Sequence, residues 1–194
     1  MPENPDWYEL RPSGLRQGDI FRAMVGYILL PNVTISQPPD DTVKDLLEHW
    51  RGDWIVLTPS CDAETGRLRS NILLAKILPA TPEVLKVAGA DFKRRLEVMR
   101  QGKLNGRRLL PAAPHADPLF PLSVVECRLQ GFAPRERLSE YDPGLRLRLK
   151  SPMREQFGNF VGQGFSDVGL EKQLEMDPFA GIGYAEILEA SSDS

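Results

Sequence analysis

The sequence predicts a single α+β domain, built as a small, strongly bent β-barrel with inserted helices and a C-terminal amphipathic helix. Short apolar runs follow one another in hairpin-like order, whereas a doubly wound α/β sheet would place a helix between successive strands. Seventeen prolines and sixteen glycines interrupt the 194 residues, which favours short strands and loops. We expect an extended arm at 1–14, the domain at 15–170 and an acidic tail at 171–194.

The first predicted strand lies within LRQGDIFRAMVGYILLP at 15–31. A turn at Gly18 and Asp19 precedes its apolar run, and Pro31 ends it. The segment TVKDLLEHW at 42–50 predicts a short helix, because Val43, Leu46, Leu47 and Trp50 would share one face.

Two nearly continuous apolar runs, WIVLTPS at 54–60 and NILLAKILP at 71–79, predict central strands. The residues between them contain Thr65 and Gly66, which indicate a hairpin turn. Within this connection we expect Cys61 to close a buried strand and Asp62 to cap the turn that follows.

The clearest helical region is 81–103, with Thr81 as the N-cap, Pro82 in the first turn and Gly89 as a point of kinking or splitting. Strands are predicted again at 122–132 and 145–150. In the second of these, LRLRLK, apolar and basic residues alternate, which is typical of a half-exposed strand.

The last predicted helix begins at Ser151, which serves as its cap and precedes Pro152 at the first helical position. Its apolar face consists of Met153, Phe157, Phe160, Val161, Phe165 and Val168.

Composition limits the class of protein. The net charge of −3 gives no overall attraction to nucleic acid, and no apolar run approaches the length of a membrane span. The N-terminal residues lack the apolar core of a secretory signal, so we expect a cytoplasmic protein with both cysteines reduced. No motif predicts a cofactor, and no paired ligand spacing predicts a metal.

A basic tract at 93–108 is the strongest local charge feature, with seven Lys or Arg residues and one Glu. It is interpreted either as a solvated helix face or as a patch for nucleic acid or an acidic protein. Its members are Lys93, Arg94, Arg95, Arg100, Lys103, Arg107 and Arg108. A second basic cluster comprises Arg146, Arg148, Lys150 and Arg154.

Cysteine chemistry is an alternative interpretation of the SCD sequence at 60–62. Cys61 would be the nucleophile, with His115 as its base and Asp117 as the orienting acid. Asp62 argues against this interpretation, because an adjacent carboxylate raises the pKa of a thiol.

The segments LRQGDIFRA, WIVLTPS and NILLAKI resemble the small-barrel toxins of the MazF/PemK family over residues 15–79. The resemblance implies an SH3-like barrel, and a bacterial setting such as toxin–antitoxin plasmid maintenance, stress or antiviral defence. It also implies a metal-independent endoribonuclease, for which Arg51, His49 and Lys76 are the candidate catalytic residues. Arg51 lacks the Pro that follows the family's arginine, and Lys76 lies near the place of its Thr or Ser.

A wider set of motifs, GDIF, LTPSCD, VVE and RLKSPMREQF…VGL, is similar to a family of uncharacterised bacterial proteins, which implies a shared fold only. Because the catalytic motifs of the toxin family are altered, the sequence predicts a non-catalytic macromolecule-binding module. We expect its partner to be a protein from the same operon, with RNA or another nucleic acid as the alternative. The endoribonuclease and the cysteine enzyme remain competing hypotheses.

Overall fold

The computed structural model describes residues 7–29, 47–60, 63, 71–104 and 106–165. Within this part of the chain the fold is α+β, with a mostly antiparallel sheet of seven strands. The strands are β1 (Tyr8–Leu10), β2 (Asp19–Leu29), β3 (Leu47–Val56), β4 (Asn71–Pro79), β5 (Arg107–Leu110), β6 (Ser123–Pro134) and β7 (Arg146–Leu149). The helices are α1 (Pro82–Leu85), α2 (Gly89–Arg100), α3 (Arg135–Ser139), a 3₁₀ turn (Pro143–Leu145) and α4 (Met153–Phe165).

The sheet order is β1-β7-β2-β3-β4-β6-β5, and β2 also pairs with β6. That extra pairing joins Tyr27 to Phe132. Strands β2, β3, β4 and β6 therefore make a closed circuit of pairings, which we call the four-strand circuit. The sheet bends back on itself, and each circuit strand presents one side to the inside and the other to the outside.

Trp54 fills the inside of the circuit and is fully buried. Its indole Nε1 donates a hydrogen bond to the carbonyl oxygen of Met24, at 3.2 Å. The ring lies directly against Gly26 of β2 and Gly131 of β6, where an added Cβ would approach it to 2.6 and 2.9 Å. Both glycines are therefore needed for the strands to close around the indole.

Each side of the circuit has its own apolar cluster. The inner cluster combines Phe21, Met24, Trp54, Val56, Ile72, Leu74, Ala133 and Leu138. The outer cluster combines Ile20, Ile55, Ile77 and Val125 with Tyr8 and with Met153, Phe157 and Val161 of α4. A third cluster packs α1 and α2 against Leu109, Leu122 and Val124. Apolar residues at successive positions of β3 and β4 are thus explained by burial on both sides.

Asp19 is wholly buried at the start of β2 and binds two arginines of β7. Its carboxylate accepts from Arg148 Nε at 2.5 Å and from Arg146 at 3.2 Å. Both arginines also donate to the carbonyl oxygen of Gly14, and Arg148 donates to that of Ser13. This Asp19 cluster ties the N-terminal loop to β2 and β7.

The prediction of a half-exposed strand at 145–150 is wrong. All four residues of β7 are buried, and Arg146 and Arg148 are only 5% and 4% exposed. The alternation of apolar and basic residues predicted exposure wrongly, because the basic residues have a buried counterion in Asp19 and face loop carbonyl groups instead of water.

The predicted helix at 42–50 is also wrong where the structure describes it. Residues 47–50 belong to β3, and Trp50 pairs with Gly26 of β2. Their helical spacing is overridden because pairing with β2 satisfies the backbone and buries the neighbouring Trp54. The remainder of that prediction lies outside the described residues.

The N-terminal arm is more structured than predicted. Residues Tyr8–Leu10 form β1 and pair with β7, and Tyr8 is 1% exposed. The Tyr8 hydroxyl donates to the carbonyl oxygen of Pro111 at 2.6 Å. Strand β5 was likewise not predicted, because its first two residues belong to the basic tract at 93–108.

The predicted helix at 81–103 is confirmed as two helices. The Thr81 hydroxyl caps α1 by accepting from the amide of Val84 at 3.3 Å, and Pro82 is the first helical residue. Lys86, with a φ of 53°, ends α1, and Gly89 begins α2.

The predicted turn at Gly18 and Asp19 is confirmed, since Gly18 has a φ of +84° just before β2. The last helix begins two residues later than predicted, at Met153. Ser151 and Pro152 form the turn before it, and the first helical bond reaches back from Arg154 to Lys150. In the described part of the chain no helix has the length and apolar character needed to cross a membrane.

Candidate functional site

A β-bulge in β2 shapes the outside of the four-strand circuit. Between Phe21 and Met24 the register with β3 shifts, so that Arg22 and Ala23 together oppose Asp53. Ala23 has a φ of 52°, a value that an alanine adopts only when its surroundings impose it. The Asp53 carboxylate accepts from Arg22 Nε at 2.8 Å and from the Ala23 amide at 2.9 Å. Asp53 therefore stabilises the bulge at both of its residues.

Arg22 is committed to holding a neighbouring loop. Its guanidinium donates to the carbonyl oxygens of Pro118 and Leu119 at 2.9 and 3.1 Å, and lies over the ring of Phe120. The Tyr141 hydroxyl donates to the Arg22 carbonyl oxygen at 2.5 Å. Burial raises the pKa of that hydroxyl, with a further contribution from Asp53. These contacts fix the bulge from both sides.

Three rings lie side by side beyond the bulge, one from each of three adjacent strands. Tyr27 of β2 contacts His49 of β3 edge-to-face, with centroids 5.0 Å apart. On its other side Tyr27 stacks on Phe132 of β6, with centroids 5.9 Å apart and an interplanar angle of 25°. His49 is exposed, and the other two are half-buried. We call Phe132, Tyr27 and His49 the aromatic row.

Two exposed arginines lie on the elements that form the aromatic row or pack next to it. Arg137 of α3 donates to the Tyr27 hydroxyl at 2.9 Å and lies over its ring, 5.7 Å from the centroid. Arg51 is two residues from His49 on β3, so both side chains project from the same side of the strand. Arg51 and Arg137 are exposed, and Arg51 Nε contacts the Ala23 carbonyl oxygen at 3.4 Å. Two exposed cations therefore accompany the row: Arg137 lies against its middle ring, and Arg51 projects from β3 two residues from His49.

Lys76 lies on the inner side of the circuit and is 6% exposed. Its Nζ donates to the carbonyl oxygen of Arg51 at 2.9 Å and lies 4.6 Å from the centroid of the Trp54 ring. Burial lowers the pKa of Lys76, and the nearby Asp53 carboxylate partly opposes that effect.

The three residues suggested for catalysis are neighbours, but they do not face the same way. His49 and Arg51 project outward from β3, whereas the ammonium of Lys76 approaches the same strand from inside. A substrate on the aromatic row would therefore contact His49 and Arg51 and would be separated from Lys76 by the β3 backbone.

The structure describes only part of the site suggested for cysteine chemistry. His115 is exposed in the loop between Ala113 and Phe120, and Cys61 and Asp62 lie outside the described residues. The other cysteine, Cys127, is half-buried. Burial and the adjacent Glu126 raise its pKa to about 11, so its thiol is protonated at neutral pH.

The structure divides the predicted basic patch. Lys93, Arg94 and Lys103 are exposed and Arg95 is half-buried. The remaining three bind neighbours: Arg100 pairs with Glu97, Arg107 pairs with Glu126, and Arg108 donates to Gln156. The tract thus has three exposed cations, two on α2 and one just after it, rather than a continuous row of seven.

Tyr27, Phe132 and Arg137 were not predicted from the sequence. Tyr27 is separated from the other two by more than a hundred positions, and no local spacing connects them. The one signal available in the sequence was strand alternation: Tyr27 and His49 each occupy positions that alternate with residues of the inner side, and so face outward. Using it required knowledge that β2 pairs with both β3 and β6.

Among the described residues no three His, Cys, Asp or Glu side chains lie together in a way that could hold a metal ion. No protein-family model, curated protein or solved structure matched the chain.

Proposed function

We propose that this chain is a non-catalytic binding module that holds single-stranded nucleic acid across the aromatic row. The observation that carries the proposal is the alignment of Phe132, Tyr27 and His49 on three paired strands. Unpaired bases stack on aromatic rings and on arginine guanidinium planes such as that of Arg137 over Tyr27, irrespective of base identity, because every base has a π face. Arg51 and Arg137 supply the positive charge that the phosphate backbone requires.

The charge distribution is compatible with this role despite the net charge of −3. Phosphate contacts are local, and each arginine beside the row can neutralise one phosphate. Two exposed acids at α3, Glu136 and Glu140, limit the electrostatic attraction. We therefore expect stacking to contribute more to affinity than charge, and a modest dependence on salt.

An SH3-like barrel is our proposal for the fold, supported by the four-strand circuit and by Trp54 at its centre. The proposed setting is a bacterial stress, defence or plasmid-maintenance system, which rests on the resemblance to the MazF/PemK family. A protein from the same operon remains the competing partner. It would be favoured if the row proved inert toward nucleic acid but captured such a protein.

The test is fluorescence anisotropy with a labelled oligouridylate and with a duplex of the same length. We expect the wild type to bind the single strand and Tyr27→Leu to weaken it by about tenfold, since one stacked base is worth about 1–3 kcal/mol. Arg94→Ala, an exposed cation on α2, is the matched control for Arg51→Ala and should leave affinity unchanged. Equal affinity for the duplex, or no effect of Tyr27→Leu, would refute the proposal.

An endoribonuclease of the MazF type is the second candidate, favoured by the exposure of His49 and Arg51 on one side of β3. It is tested by expressing the wild type, Arg51→Ala and Cys61→Ala in a bacterial host and following growth and RNA integrity. RNA cleavage that is lost in Arg51→Ala would favour the nuclease. Loss in Cys61→Ala alone would favour thiol chemistry, and intact RNA in every strain would favour the binding module.

A further inference from the structure

Lys76 is a buried cation beside acids that are bound to other residues. Two carboxylates lie near it on the neighbouring strands: Glu126 of β6 pairs directly with Lys76, and Asp53 of β3 pairs with the next residue, Ile77. Each is bound to an arginine, Asp53 to Arg22 and Glu126 to Arg107. A lysine that is only 6% exposed is costly to keep charged, so its position calls for an explanation.

The Lys76 ammonium lies against one short piece of β3. It donates to the Arg51 carbonyl oxygen, and the next residue, Gly52, leaves room for it. A Cβ at Gly52 would collide with Nζ, and the Gly52 φ of +148° is one that other residues rarely adopt. The ammonium of Lys76 thus occupies the space that a side chain at position 52 would need.

The same piece of β3 is held from its outer side by the bulge. The Ala23 amide donates to Asp53, and the Ala23 carbonyl oxygen receives Arg51 Nε. The backbone from Arg51 to Asp53 is therefore fixed between Lys76 inside and Ala23 outside. Losing the inner hydrogen bond would release the Arg51 carbonyl group. The backbone at Arg51 could then rotate, and the direction in which its guanidinium leaves the strand would no longer be fixed.

We infer that Lys76 is a positioning residue for Arg51: from inside the circuit its ammonium fixes the β3 backbone from which the Arg51 guanidinium projects, on the side of the strand that carries His49. The ligand that Arg51 then meets, a phosphate of single-stranded nucleic acid, rests on the proposed function. Lys76 itself is too buried to reach that phosphate.

Positioning by an ammonium makes the site sensitive to alkaline pH. Because burial lowers the pKa of Lys76, its charge-assisted hydrogen bond is at full strength below that pKa. The bond weakens as the pH rises through that pKa, before an ordinary lysine would titrate at 10.5, because the neutral amine is a poorer donor. Charged or titratable groups on the surrounding elements are Arg51 and Asp53 on β3, Arg22 on β2, Glu126 on β6, Arg107 on β5 and Tyr141 after α3.

The test uses Lys76→Met, which keeps the length of the side chain and removes its charge, with Lys93→Met as an exposed control. In the free protein, carbon-detected NMR of the arginine Nε–Cζ groups reports the order of each guanidinium. We expect Lys76→Met to broaden or shift the Arg51 signal and to leave the Arg94 signal in place. Raising the pH of the wild type toward 10.5 should reproduce the change.

Binding of oligouridylate as a function of salt then separates positioning from direct contact. Loss of one phosphate contact lowers the slope of log K against log salt by about 0.7. We expect Lys76→Met, Arg51→Ala and the double variant each to lower it by about 0.7, because all three remove the same contact. A double variant that loses about 1.4 would mean that Lys76 contacts phosphate itself and would overturn the inference.

The two proposals fail in different ways. An Arg51 signal that is unchanged in Lys76→Met overturns the positioning role, whether or not oligouridylate binds. If the wild type does not bind oligouridylate but its Arg51 signal changes in Lys76→Met, the proposed function is refuted and the positioning role is supported. If Lys76→Met does not fold, the pH titration of the wild-type Arg51 signal decides: a change below pH 10.5 supports the positioning role, and a constant signal overturns it.

Discussion

Single charged residues in this protein stabilise the fold from positions that the sequence pattern assigns to the surface. Asp19 is the clearest case, since it is wholly buried between Arg146 and Arg148. Burial lowers the pKa of Arg146, and the charge of Asp19 opposes that effect. The arrangement is stable only while carboxylate and guanidinium groups compensate each other.

Asp19→Asn should therefore destabilise the protein by about 3–5 kcal/mol, because two buried guanidinium groups would lose their counterion. Glu9→Gln is the matched control. Glu9 lies 3.6 Å from the same Arg148, but its side chain is 47% exposed, and such pairs are worth about 1 kcal/mol or less. Urea unfolding measures both, and a similar small loss for the two variants would contradict the cluster's importance.

Glycines at close approaches form a second set of decisive residues. Gly131→Ala would place a Cβ 2.7 Å from the Tyr27 carbonyl oxygen and 2.9 Å from the Trp54 ring. We expect a loss of about 1–3 kcal/mol, together with weaker pairing of β2 with β6. The control is Gly162→Ala in α4, where no described atom lies within 4 Å of the added Cβ apart from the neighbouring residues and the backbone of its own helix. That change should be neutral or stabilising in thermal unfolding, because alanine favours helix.

At the scale of the elements, the start of α1 was predictable and strand pairing was not. Thr81 and Pro82 act within a few residues, so their sequence signature determined the start of α1. The first residues of β3 were predicted to be helical from their apolar spacing. That prediction failed because nothing local in the sequence reveals their partner β2, which lies beyond the connection at 30–46. The aromatic row was unpredictable for the same reason, since local spacing contains no information about a distant strand.

The two successive helices offer a paired test of capping. Thr81→Ala removes the hydroxyl that caps α1 and should cost about 1 kcal/mol. Ala88, at the corresponding position of α2, makes no side-chain cap bond. Ala88→Ser should therefore gain a few tenths to about 1 kcal/mol. Opposite shifts in melting temperature are expected, and equal shifts would argue that neither cap matters.

At the scale of the whole molecule, distant parts of the chain depend on one another. Tyr8 joins the outer apolar cluster, contacts the ring of Phe120 edge-to-face and binds the carbonyl oxygen of Pro111. The α+β class was predictable from the hairpin order of the apolar runs. The contribution of β1 was not, because three residues in a proline-rich arm show no periodicity.

Tyr8→Ala should consequently cost about 3–5 kcal/mol, as for other large aromatic residues removed from a core. Leu10→Ala, on the same short strand, provides the comparison because Leu10 is 46% exposed. We expect it to change stability by less than about 1 kcal/mol. Denaturant titration of the two variants would show whether the N-terminal strand is part of the cooperative unit or an accessory to it.

The place of β2 in the sheet order also determines when the molecule can be completed during synthesis. Strand β2 needs β3, β6 and β7 as neighbours, and β1 needs β7, whose last residue is Leu149. The first two strands to leave the ribosome are therefore among the last to acquire all their partners. Contacts so distant in sequence close slowly, because a long loop must be ordered before they form. Until then the nascent chain has unpaired strand edges, and we expect it to be most prone to aggregation before β6 and β7 are synthesised.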